Sequence, residues 1–259
     1  MKIIAGPCQH ESYQQSLEIA RECKRVCDLY DVDYYFKASY DKANRTSING
    51  KRGVGLLATM TDFIKLQKEL GVKTLTDVHD VEQVKYVKGI VDVIQIPAFL
   101  CRQTDLIRAC VETGKTVNIK KGQFLAPWDV AGILSKTEGA KEVWITERGT
   151  SFGYNTLVVD YTGMQYIMDQ YDVPFVFDAT HSVQKPGGQG NSSGGNRSYV
   201  AGLCRAASAM GVDNFFLEVH PDPDNAPSDG ANMLHLTDFE QVVKDICNFN
   251  YHRKTAATK

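Results

Sequence analysis

The sequence has no long hydrophobic run. No apolar stretch approaches the roughly 20 residues that a helix needs to cross a bilayer, so we expect no membrane-spanning segment. Residues 1–5 at the N-terminus are too few, and are followed too soon by polar residues, to form a signal peptide. The sequence therefore predicts a cytoplasmic protein that does not act in a membrane.

Neither sign of charge is in large excess. The 29 lysine and arginine residues are nearly balanced by 31 aspartate and glutamate residues, which gives a net charge of −2. A protein that binds nucleic acid over a broad surface needs a basic face, so this balance argues against a nucleic-acid partner. Any recognition of anions must be local.

The seven cysteines are odd in number and have no repeated spacing. This pattern is typical of reduced thiols in a reducing compartment rather than of a disulfide framework. No Pro/Gly/Ser-rich linker or change of composition divides the chain. With 259 residues, 43% of them hydrophobic, the chain can bury a full core, and we expect residues 1–259 to form a single domain.

Short apolar runs alternate with stretches of helical period along the whole chain. Two of the helical stretches are residues 16–29 and 56–70. The short runs are almost continuously apolar, as expected when both faces of a parallel sheet are buried. Eight such units in about 250 residues are typical of a (β/α)8 barrel of the α/β class, with a doubly wound open sheet as the alternative. The predicted strands are residues 2–5, 34–37, 74–78, 93–97, 116–120, 143–146, 175–178 and 215–219.

Polar residues stand at the end of nearly every predicted strand. Cys8 follows the first strand, Asp77 lies in the third, and His181 follows the seventh. In a barrel of this kind the carboxyl ends of the strands meet at one mouth, where such enzymes carry out their chemistry. We therefore expect these side chains to share one site, with Asp77 among the groups that bind substrate.

Cations gather at the same predicted strand ends. Residues 36–47, which read FKASYDKANRTS, place three of them behind the second strand. Converging cations suit one or more phosphates, or a phosphate and a carboxylate, and arginine can hold either with two parallel hydrogen bonds. Each cation alone could instead pair with a surface carboxylate, but that explains all of them together poorly. The predicted anion-binding set is Lys37, Lys42, Arg45, Lys120 and Arg148.

Cys8, His181, Glu218 and Asp229 offer a thiolate, an imidazole and two carboxylates. Such donors suit a borderline divalent ion such as zinc, iron or manganese. The first, seventh and eighth strands adjoin in a closed barrel, so joint coordination is geometrically possible. The long spacing gives no local pattern, and Cys8 as a small buried hydrophobe or Asp229 as a turn residue are the simpler alternatives.

Residues 185–197, which read KPGGQGNSSGGNR, contain almost no apolar surface and follow His181 closely. Such a segment can be a surface loop without a role. Its position after a candidate ligand favours a mobile lid that excludes water when substrate binds.

Several longer motifs are recognisable. Residues 92–106 read DVIQIPAFLCRQTDL, 118–124 read NIKKGQF, 152–160 read FGYNTLVVD and 218–229 read EVHPDPDNAPSD. Together with FKASYDKANRTS, they closely resemble the 3-deoxy-D-manno-octulosonate 8-phosphate synthase family over nearly the whole chain. The resemblance implies condensation of phosphoenolpyruvate with D-arabinose 5-phosphate in a (β/α)8 barrel, usually a homotetramer, in the biosynthesis of Kdo and lipopolysaccharide.

The resemblance also implies two substrate subsites. The positions that match the phosphoenolpyruvate subsite are Lys42, Lys120, Gln123 and Arg148, with Lys37 beside them. The positions that match the aldose phosphate subsite are Asn44, Arg45 and Thr46. Arg102 matches a residue that reaches the phosphate of a neighbouring subunit, a role that requires an oligomer.

By the same resemblance, Cys8, His181, Glu218 and Asp229 match the four ligands of the metal-dependent class. Metal-free relatives carry Asn at the position of Cys8. Gly122 departs from the Pro that many relatives have, but the neighbouring Lys120 and Gln123 are retained. The catalytic residues on this assignment are Cys8, Lys42, Lys120, His181 and Asp229.

Two other functions are compatible with parts of this pattern. A 3-deoxy-arabino-heptulosonate 7-phosphate synthase, which uses erythrose 4-phosphate, shares the barrel and the metal ligands, but its loop normally has Pro and Arg where this chain has Ala43-Asn44-Arg45. A sialic-acid-type synthase is more distant. A non-catalytic sugar-phosphate-binding barrel need not keep the four candidate metal ligands, so their presence argues against it.

Overall fold

The structure is a computed structural model that describes residues 1–188 and 193–257. Its eight main strands are parallel, and each pairs with the next along the chain. The last strand pairs with the first, with Lys2 opposite Asn214 and Gly6 opposite Glu218. This closure confirms the predicted (β/α)8 barrel, and the open-sheet alternative is wrong. The strands are β1 (Lys2–Gly6), β2 (Asp33–Lys37), β3 (Lys73–Asp77), β4 (Val93–Ile96), β5 (Thr116–Lys120), β6 (Glu142–Glu147), β7 (Phe175–Asp178) and β8 (Asn214–His220).

Helices surround the barrel and follow its strands. The first begins at Tyr13, earlier than the predicted residue 16, because the Ser12 hydroxyl accepts a hydrogen bond from the Gln15 backbone and caps it. The second has the predicted bounds. The helices are α1 (Tyr13–Leu29), α2 (Leu56–Leu70), α3 (Val81–Val87), α4 (Thr104–Val111), α5 (Val130–Leu134), α6 (Tyr161–Gln170), α7 (Ala179–Ser182), α8 (Val200–Met210) and α9 (Phe239–Ala257).

Short elements decorate the carboxyl ends of the strands. Thr150–Ser151 pairs antiparallel with Leu157–Val158, and Gln184–Lys185 pairs with Gly194–Gly195. The second of these hairpins holds the two ends of the predicted lid, whereas residues 189–192 lie outside the described part of the chain. A fifth short strand, Leu234–His235, extends the sheet beside β8.

Two apolar cores stabilise the barrel. The larger one fills the layer between the strands and the surrounding helices. The smaller one fills the barrel interior, where Tyr35 and Trp144 meet edge to face with ring centroids 5.1 Å apart. Burial of these apolar side chains is the main source of stability for the fold. The interior core consists of Ile4, Tyr35, Leu75, Val93, Trp144, Val176 and Phe216.

Glycine at the end of β1 allows the barrel to close tightly. A Cβ atom at Gly6 would lie 2.1 Å from the carbonyl oxygen of Lys37, so no other residue fits between β1 and β2 at this level. The close approach brings the loop after β1, including Cys8, directly beside the end of β2. No helix of the described residues is long and apolar enough to cross a membrane.

Candidate active site

The barrel interior changes from apolar to charged toward the carboxyl ends of the strands. Side chains two positions apart on a strand point to the same side. Tyr35 in the interior core is therefore followed by Lys37 inside the barrel, and Phe216 is followed by Glu218. Asp77, Lys120 and Asp178 are the last residues of their strands. The same alternation places their side chains inside the barrel, above the apolar layer.

A cavity of about 960 Å³ lies at this end of the barrel. Cys8 and Glu218 are buried at its base, each about 1% exposed. The cavity brings together most of the predicted site residues from separate strands. Those that line it are Lys37, Lys42, Asn44, Arg45, Thr46, Asp77, Lys120, Gln123, Arg148, His181 and Asp229.

The four predicted metal ligands form one cluster. One donor atom from each of Cys8, His181, Glu218 and Asp229 lies within 4.8 Å of all the others. The Oε2 atom of Glu218 is buried and has no hydrogen-bond partner among the described residues. It lies 3.6 Å from Nε2 of His181. A buried carboxylate oxygen without a partner is costly unless a cation meets it, so the donor set fits a divalent ion.

Asp178 prepares His181 to act as a ligand. Its Oδ2 atom lies 2.7 Å from Nδ1 of His181, and its Oδ1 atom accepts a hydrogen bond from the backbone N–H of the same histidine. A carboxylate accepts only, so Nδ1 carries the proton and Nε2 keeps its lone pair toward the cluster. Burial raises the pKa of Asp178, but His181 and Lys120 outweigh it and hold that pKa far below its ordinary value.

The surroundings of Cys8 disfavour the thiolate form. Burial and the nearby carboxylates of Glu218 and Asp229 raise the pKa of the Cys8 thiol well above its ordinary value. The Sγ atom lies 3.2 Å from Oδ2 of Asp229 and donates to it. Lys37, whose ammonium group lies 3.1 Å from Oε1 of Glu218 and donates to the Cys8 carbonyl oxygen, ties β2 to this cluster.

The anion-binding cations differ in how they are paired. Lys37 and Lys120 form buried ion pairs, with Glu218 and Asp178. By contrast, Lys42, Arg45 and Arg148 form no ion pair with any described residue, so the interpretation of surface pairing does not hold for them. A positive charge that no direct ion pair occupies is available to an anionic ligand.

Lys42 and Asp77 are joined through a serine. The ammonium group of Lys42 donates to Oγ of Ser39 over 3.1 Å, and that hydroxyl donates to Oδ1 of Asp77 over 2.5 Å. Asp77 in turn lies 3.1 Å from Nε2 of His79. Burial raises the pKa of Asp77, but His79, Lys37 and Lys42 outweigh it and keep the carboxyl group ionised. Asp77 thus holds the cation by way of Ser39 and does not neutralise it directly.

Arg148 and Gln123 present unpartnered polar atoms at the cavity wall. Nη1 of Arg148 and Oε1 of Gln123 are buried and have no hydrogen-bond partner among the described residues. Nη2 of Arg148 donates to Oε1 of Gln184 over 2.8 Å. Buried polar atoms are normally paired, so these two atoms mark places where a polar ligand would complete the bonding.

The loop of residues 42–50 lies over the mouth. Nη1 of Arg45 donates to the Ser228 hydroxyl over 2.9 Å, and Nη2 donates to Oε1 of Gln9 and to the Pro227 carbonyl oxygen. All of these acceptors are neutral, so the guanidinium charge stays uncompensated while its position is fixed. Asn44 and Thr46 are exposed on the same loop and line the same cavity.

Arg102 is a predicted site residue that belongs neither to the cavity lining nor to the four-donor cluster. It is exposed in the turn before α4, and the cavity wall nearby is formed by residues 97–100. Arg102 therefore does not contribute to the cavity of its own subunit. Its predicted role, at the site of a neighbouring subunit, stays a prediction.

Four residues around the site carry roles that the sequence did not assign. Asp178 orients His181, Gln184 bridges Arg148 and Asp229, Ser39 links Lys42 to Asp77, and Glu147 holds the turn before Arg148. Asp178 stood at a predicted strand end, which was a usable signal. Glu147 also stood near a predicted strand end, whereas Ser39 and Gln184 depend on partners at least 36 positions away, Asp77 for the first and Arg148 and Asp229 for the second.

Comparisons with known proteins show the family to which the chain belongs. A model of the family described as DAHP synthetase I matches residues 1–251. The chain belongs to the DAHP synthetase I family. Among similar proteins of this family, one from Caulobacter vibrioides (strain NA1000 / CB15N) is named 2-dehydro-3-deoxyphosphooctonate aldolase. It is 53% identical over 258 residues, which cover 99% of this chain and 90% of the relative.

Two further relatives carry the same name. The protein from Bartonella bacilliformis is 52% identical over 252 residues, covering 96% of this chain and 89% of the relative. The protein from Bradyrhizobium sp. (strain BTAi1 / ATCC BAA-1182) is 50% identical over 260 residues, covering 100% and 91%. This name is a synonym of the family that the sequence motifs resemble, so the predicted family within DAHP synthetase I is confirmed.

Proposed function

We propose that the protein condenses phosphoenolpyruvate with D-arabinose 5-phosphate and water to give 3-deoxy-D-manno-octulosonate 8-phosphate and phosphate. The observation that carries the proposal is the pairing of two features at one mouth. Lys42, Arg45 and Arg148 are cations without an ion pair among the described residues, and the four-donor cluster lies beside them. Relatives about half identical over nearly the full chain are named for the corresponding aldolase.

Phosphoenolpyruvate carries a phosphate and a carboxylate on adjacent atoms. Lys42, Lys120, Gln123 and Arg148 line the cavity in positions to hold both groups, and Lys37 lies beneath them. Carbon C3 of phosphoenolpyruvate attacks the aldehyde carbon of the aldose, water adds to C2, and the C2–O bond to phosphate breaks. Positive charge builds at C2 along this path, so the cations cannot stabilise that carbon. Their contribution is to orient the flanking anionic groups.

The aldose phosphate lies on the other side of the mouth in this proposal. Arg45 is fixed by neutral acceptors and keeps its charge for a phosphate. Asn44 and Thr46 supply uncharged donors beside it. Asn44 is the residue that distinguishes this loop from that of the erythrose 4-phosphate enzymes, and it therefore carries the specificity for the longer sugar.

Cys8, His181, Glu218 and Asp229 would hold a divalent ion of zinc, iron or manganese. When bound, such an ion supplies electrophilic assistance, either by orienting the aldehyde or by activating a water molecule. Asp178 keeps the proton of His181 on Nδ1, and Lys37 holds Oε1 of Glu218, so both ligands are oriented before any ion arrives. Burial of the cluster keeps bulk water away from these donors.

We further propose that the protein is a cytoplasmic homotetramer that acts in Kdo and lipopolysaccharide biosynthesis. Arg102 is exposed and does not line the cavity of its own chain, which suits a contribution to the aldose phosphate site of a neighbouring subunit. Residues 185–197 act as a lid over the mouth in this proposal, since their two ends are held together by the pairing of Gln184–Lys185 with Gly194–Gly195.

The aldose preference tests the proposed function. Purified protein supplied with phosphoenolpyruvate should release inorganic phosphate rapidly with arabinose 5-phosphate and at least tenfold more slowly with erythrose 4-phosphate. A tenfold difference in rate is within the discrimination that a site built to hydrogen-bond one sugar achieves against another. Faster release with erythrose 4-phosphate would instead assign the chain to the aromatic pathway, and no release with either sugar would favour a binding protein.

Removal of metal tests the four-donor cluster. Exhaustive treatment with a strong chelator should abolish turnover, and added manganese or zinc should restore it, because the two carboxylates and the thiol of the cluster are left without their cation. The matched control is Cys247→Ser, which removes a thiol on α9 outside the cluster and should leave the chelator response unchanged. Full activity after complete metal removal would contradict the role given to Cys8.

A further inference from the structure

Gln184 joins the two halves of the proposed site. Its Oε1 atom accepts a hydrogen bond from Nη2 of Arg148 over 2.8 Å, and its Nε2 atom donates to Oδ1 of Asp229 over 2.8 Å. The side chain is buried, and its backbone is fixed by pairing with Gly195. One side chain therefore contacts both a cation of the phosphoenolpyruvate subsite and a candidate metal ligand.

The chemistry of the two partners dictates what can stand between them. A guanidinium group has donors only, and an ionised carboxylate has acceptors only. Oδ1 of Asp229 accepts from the Gln184 carboxamide, so the carboxylate acts as the acceptor of this pair. A carboxamide offers one acceptor and one donor without a net charge. Glutamate in its place would lack the donor, and lysine would lack the acceptor.

The bridge also decides which atoms face the ligand sites. Gln184 bonds to Oδ1 of Asp229, whereas Oδ2 accepts from Sγ of Cys8 within the four-donor cluster and lies 3.9 Å from Nε2 of His181. On the other side it occupies Nη2 of Arg148 and leaves Nη1, which has no partner among the described residues. Each partner thus has one atom anchored to Gln184 and a second atom directed to a ligand.

We propose that Gln184 is a positioning residue that couples phosphoenolpyruvate binding to metal binding through one hydrogen-bonded chain, Arg148–Gln184–Asp229. The proposal rests on the proposed function, because it assumes that Arg148 binds phosphoenolpyruvate and that Asp229 binds a metal. A metal that fixes Asp229 fixes Gln184 and, through it, Arg148. By reciprocity, phosphoenolpyruvate that fixes Arg148 strengthens metal binding by the same factor.

Two substitutions of opposite charge separate this role from a merely structural one. Glu at position 184 pairs with Arg148 and competes with the substrate anion, whereas Lys pairs with Asp229 and competes with the metal. In Gln184→Glu we expect phosphoenolpyruvate binding to weaken about tenfold or more while manganese binding stays within about threefold, and in Gln184→Lys we expect the reverse. The conservative Gln184→Met, which has similar volume and no bridge, should lower the factor by which manganese tightens phosphoenolpyruvate binding.

Binding measurements on the full-length protein read out these changes without turnover. Phosphoenolpyruvate affinity is measured by calorimetry on metal-free and manganese-loaded protein, and free manganese is counted by electron paramagnetic resonance. The control pair is Gln165→Glu and Gln165→Lys, since Gln165 also donates to an aspartate, Asp169, but on the exposed face of α6. Both control variants should bind both ligands as the unsubstituted protein does.

The expected outcome is the crossed pattern in Gln184→Glu and Gln184→Lys together with a reduced coupling factor in Gln184→Met. If either charged variant does not fold, the coupling factor in Gln184→Met decides alone. Equal weakening of both ligands in both charged variants, or an unchanged coupling factor in Gln184→Met, would overturn the role of Gln184 and leave the proposed function standing. Failure of the unsubstituted protein to bind phosphoenolpyruvate would overturn the proposed function, and the coupling with it.

Discussion

Lys120 shows how one residue's surroundings set its chemistry. Its ammonium group forms a buried ion pair with Asp178 and lies 3.2 Å from the centre of the Phe216 ring. Burial lowers the pKa of Lys120 to about 8, although Asp178 acts to raise it. The side chain therefore carries its charge at neutral pH and loses it a little above, in contrast to an exposed lysine.

This pKa gives a testable pH dependence of substrate binding. Below about pH 8 the amine is protonated and attracts phosphoenolpyruvate, whereas above it binding must first take up a proton. The dissociation constant of phosphoenolpyruvate on metal-free protein should therefore rise with pH above 8, by up to about tenfold per pH unit. Calorimetry between pH 7 and pH 9.5 measures this rise.

Lys120→Arg is the matched variant for this measurement, because arginine stays charged over the whole range. Its phosphoenolpyruvate affinity should change little between pH 7 and pH 9.5. A flat profile in the unsubstituted protein, or the same slope in both proteins, would show that Lys120 does not titrate at the site.

At the scale of single residues, the sequence predicted which residues meet but not how each is bonded. It placed Lys37 beside phosphoenolpyruvate, and the structure shows that its ammonium group is held by Glu218 and by the Cys8 carbonyl oxygen. It assigned nothing to Gln184. Glutamine is common in loops, and its role here depends on Arg148 and Asp229, which lie 36 and 45 positions away. Partners so far apart cannot be inferred from spacing.

Among the elements, the turn after β6 is the one most directly tied to the proposed chemistry. Oε1 of Glu147 accepts hydrogen bonds from the backbone N–H groups of Arg148 and Gly149, at 2.9 and 2.6 Å. Its Oε2 atom lies 3.2 Å from the ammonium group of Lys121, and both side chains are at least 95% buried. The pair thus fixes the backbone that presents Arg148 to the cavity.

Removing one member of this pair should weaken both the fold and substrate binding. Lys121→Met leaves the Glu147 carboxylate buried without its cation, which typically costs about 3–5 kcal/mol of unfolding free energy. Glu147→Gln should cost a similar amount and, in addition, weaken phosphoenolpyruvate binding, because the turn before Arg148 loses a charged acceptor. Urea denaturation and calorimetry measure the two effects.

The double variant is the control for this prediction. Lys121→Met combined with Glu147→Gln removes both charges, so its loss of stability should be smaller than the sum of the two single losses, as expected for residues in direct contact. Additive losses would show that the two side chains do not depend on each other.

The strands of the barrel could be predicted because each one has its own hydrophobic run in the sequence. The interior and exterior apolar side chains of the strands produce continuous hydrophobic runs, which is why all eight strands could be located from the sequence. Strand ends were less well defined, since Val78 lies beyond β3 and Pro97 lies beyond β4. Proline lacks the N–H that a strand requires, which explains the end of β4. The short hairpin of residues 150–158 was not predicted, since its strands are only two residues long.

For the whole molecule, the decisive feature is the order of layers inside the barrel. An apolar layer of Tyr35, Trp144 and Phe216 seals the lower part, and the charged side chains above it converge from separate strands. This order follows from the alternation of side chains along parallel strands, and it was predictable once the barrel was recognised. The homotetramer implied by the family resemblance stays a prediction, because it depends on exposed residues such as Arg102 whose contacts with a second subunit a single chain does not contain.

The choice of aldose tests this account most directly. Protein with phosphoenolpyruvate and equal concentrations of arabinose 5-phosphate and erythrose 4-phosphate reports, in one reaction, the ratio of kcat/KM for the two sugars through the ratio of the products by mass spectrometry. The account predicts that the eight-carbon sugar phosphate exceeds the seven-carbon one by at least tenfold, and that Asn44→Pro reduces this ratio. An excess of the seven-carbon product from the unsubstituted protein would contradict it.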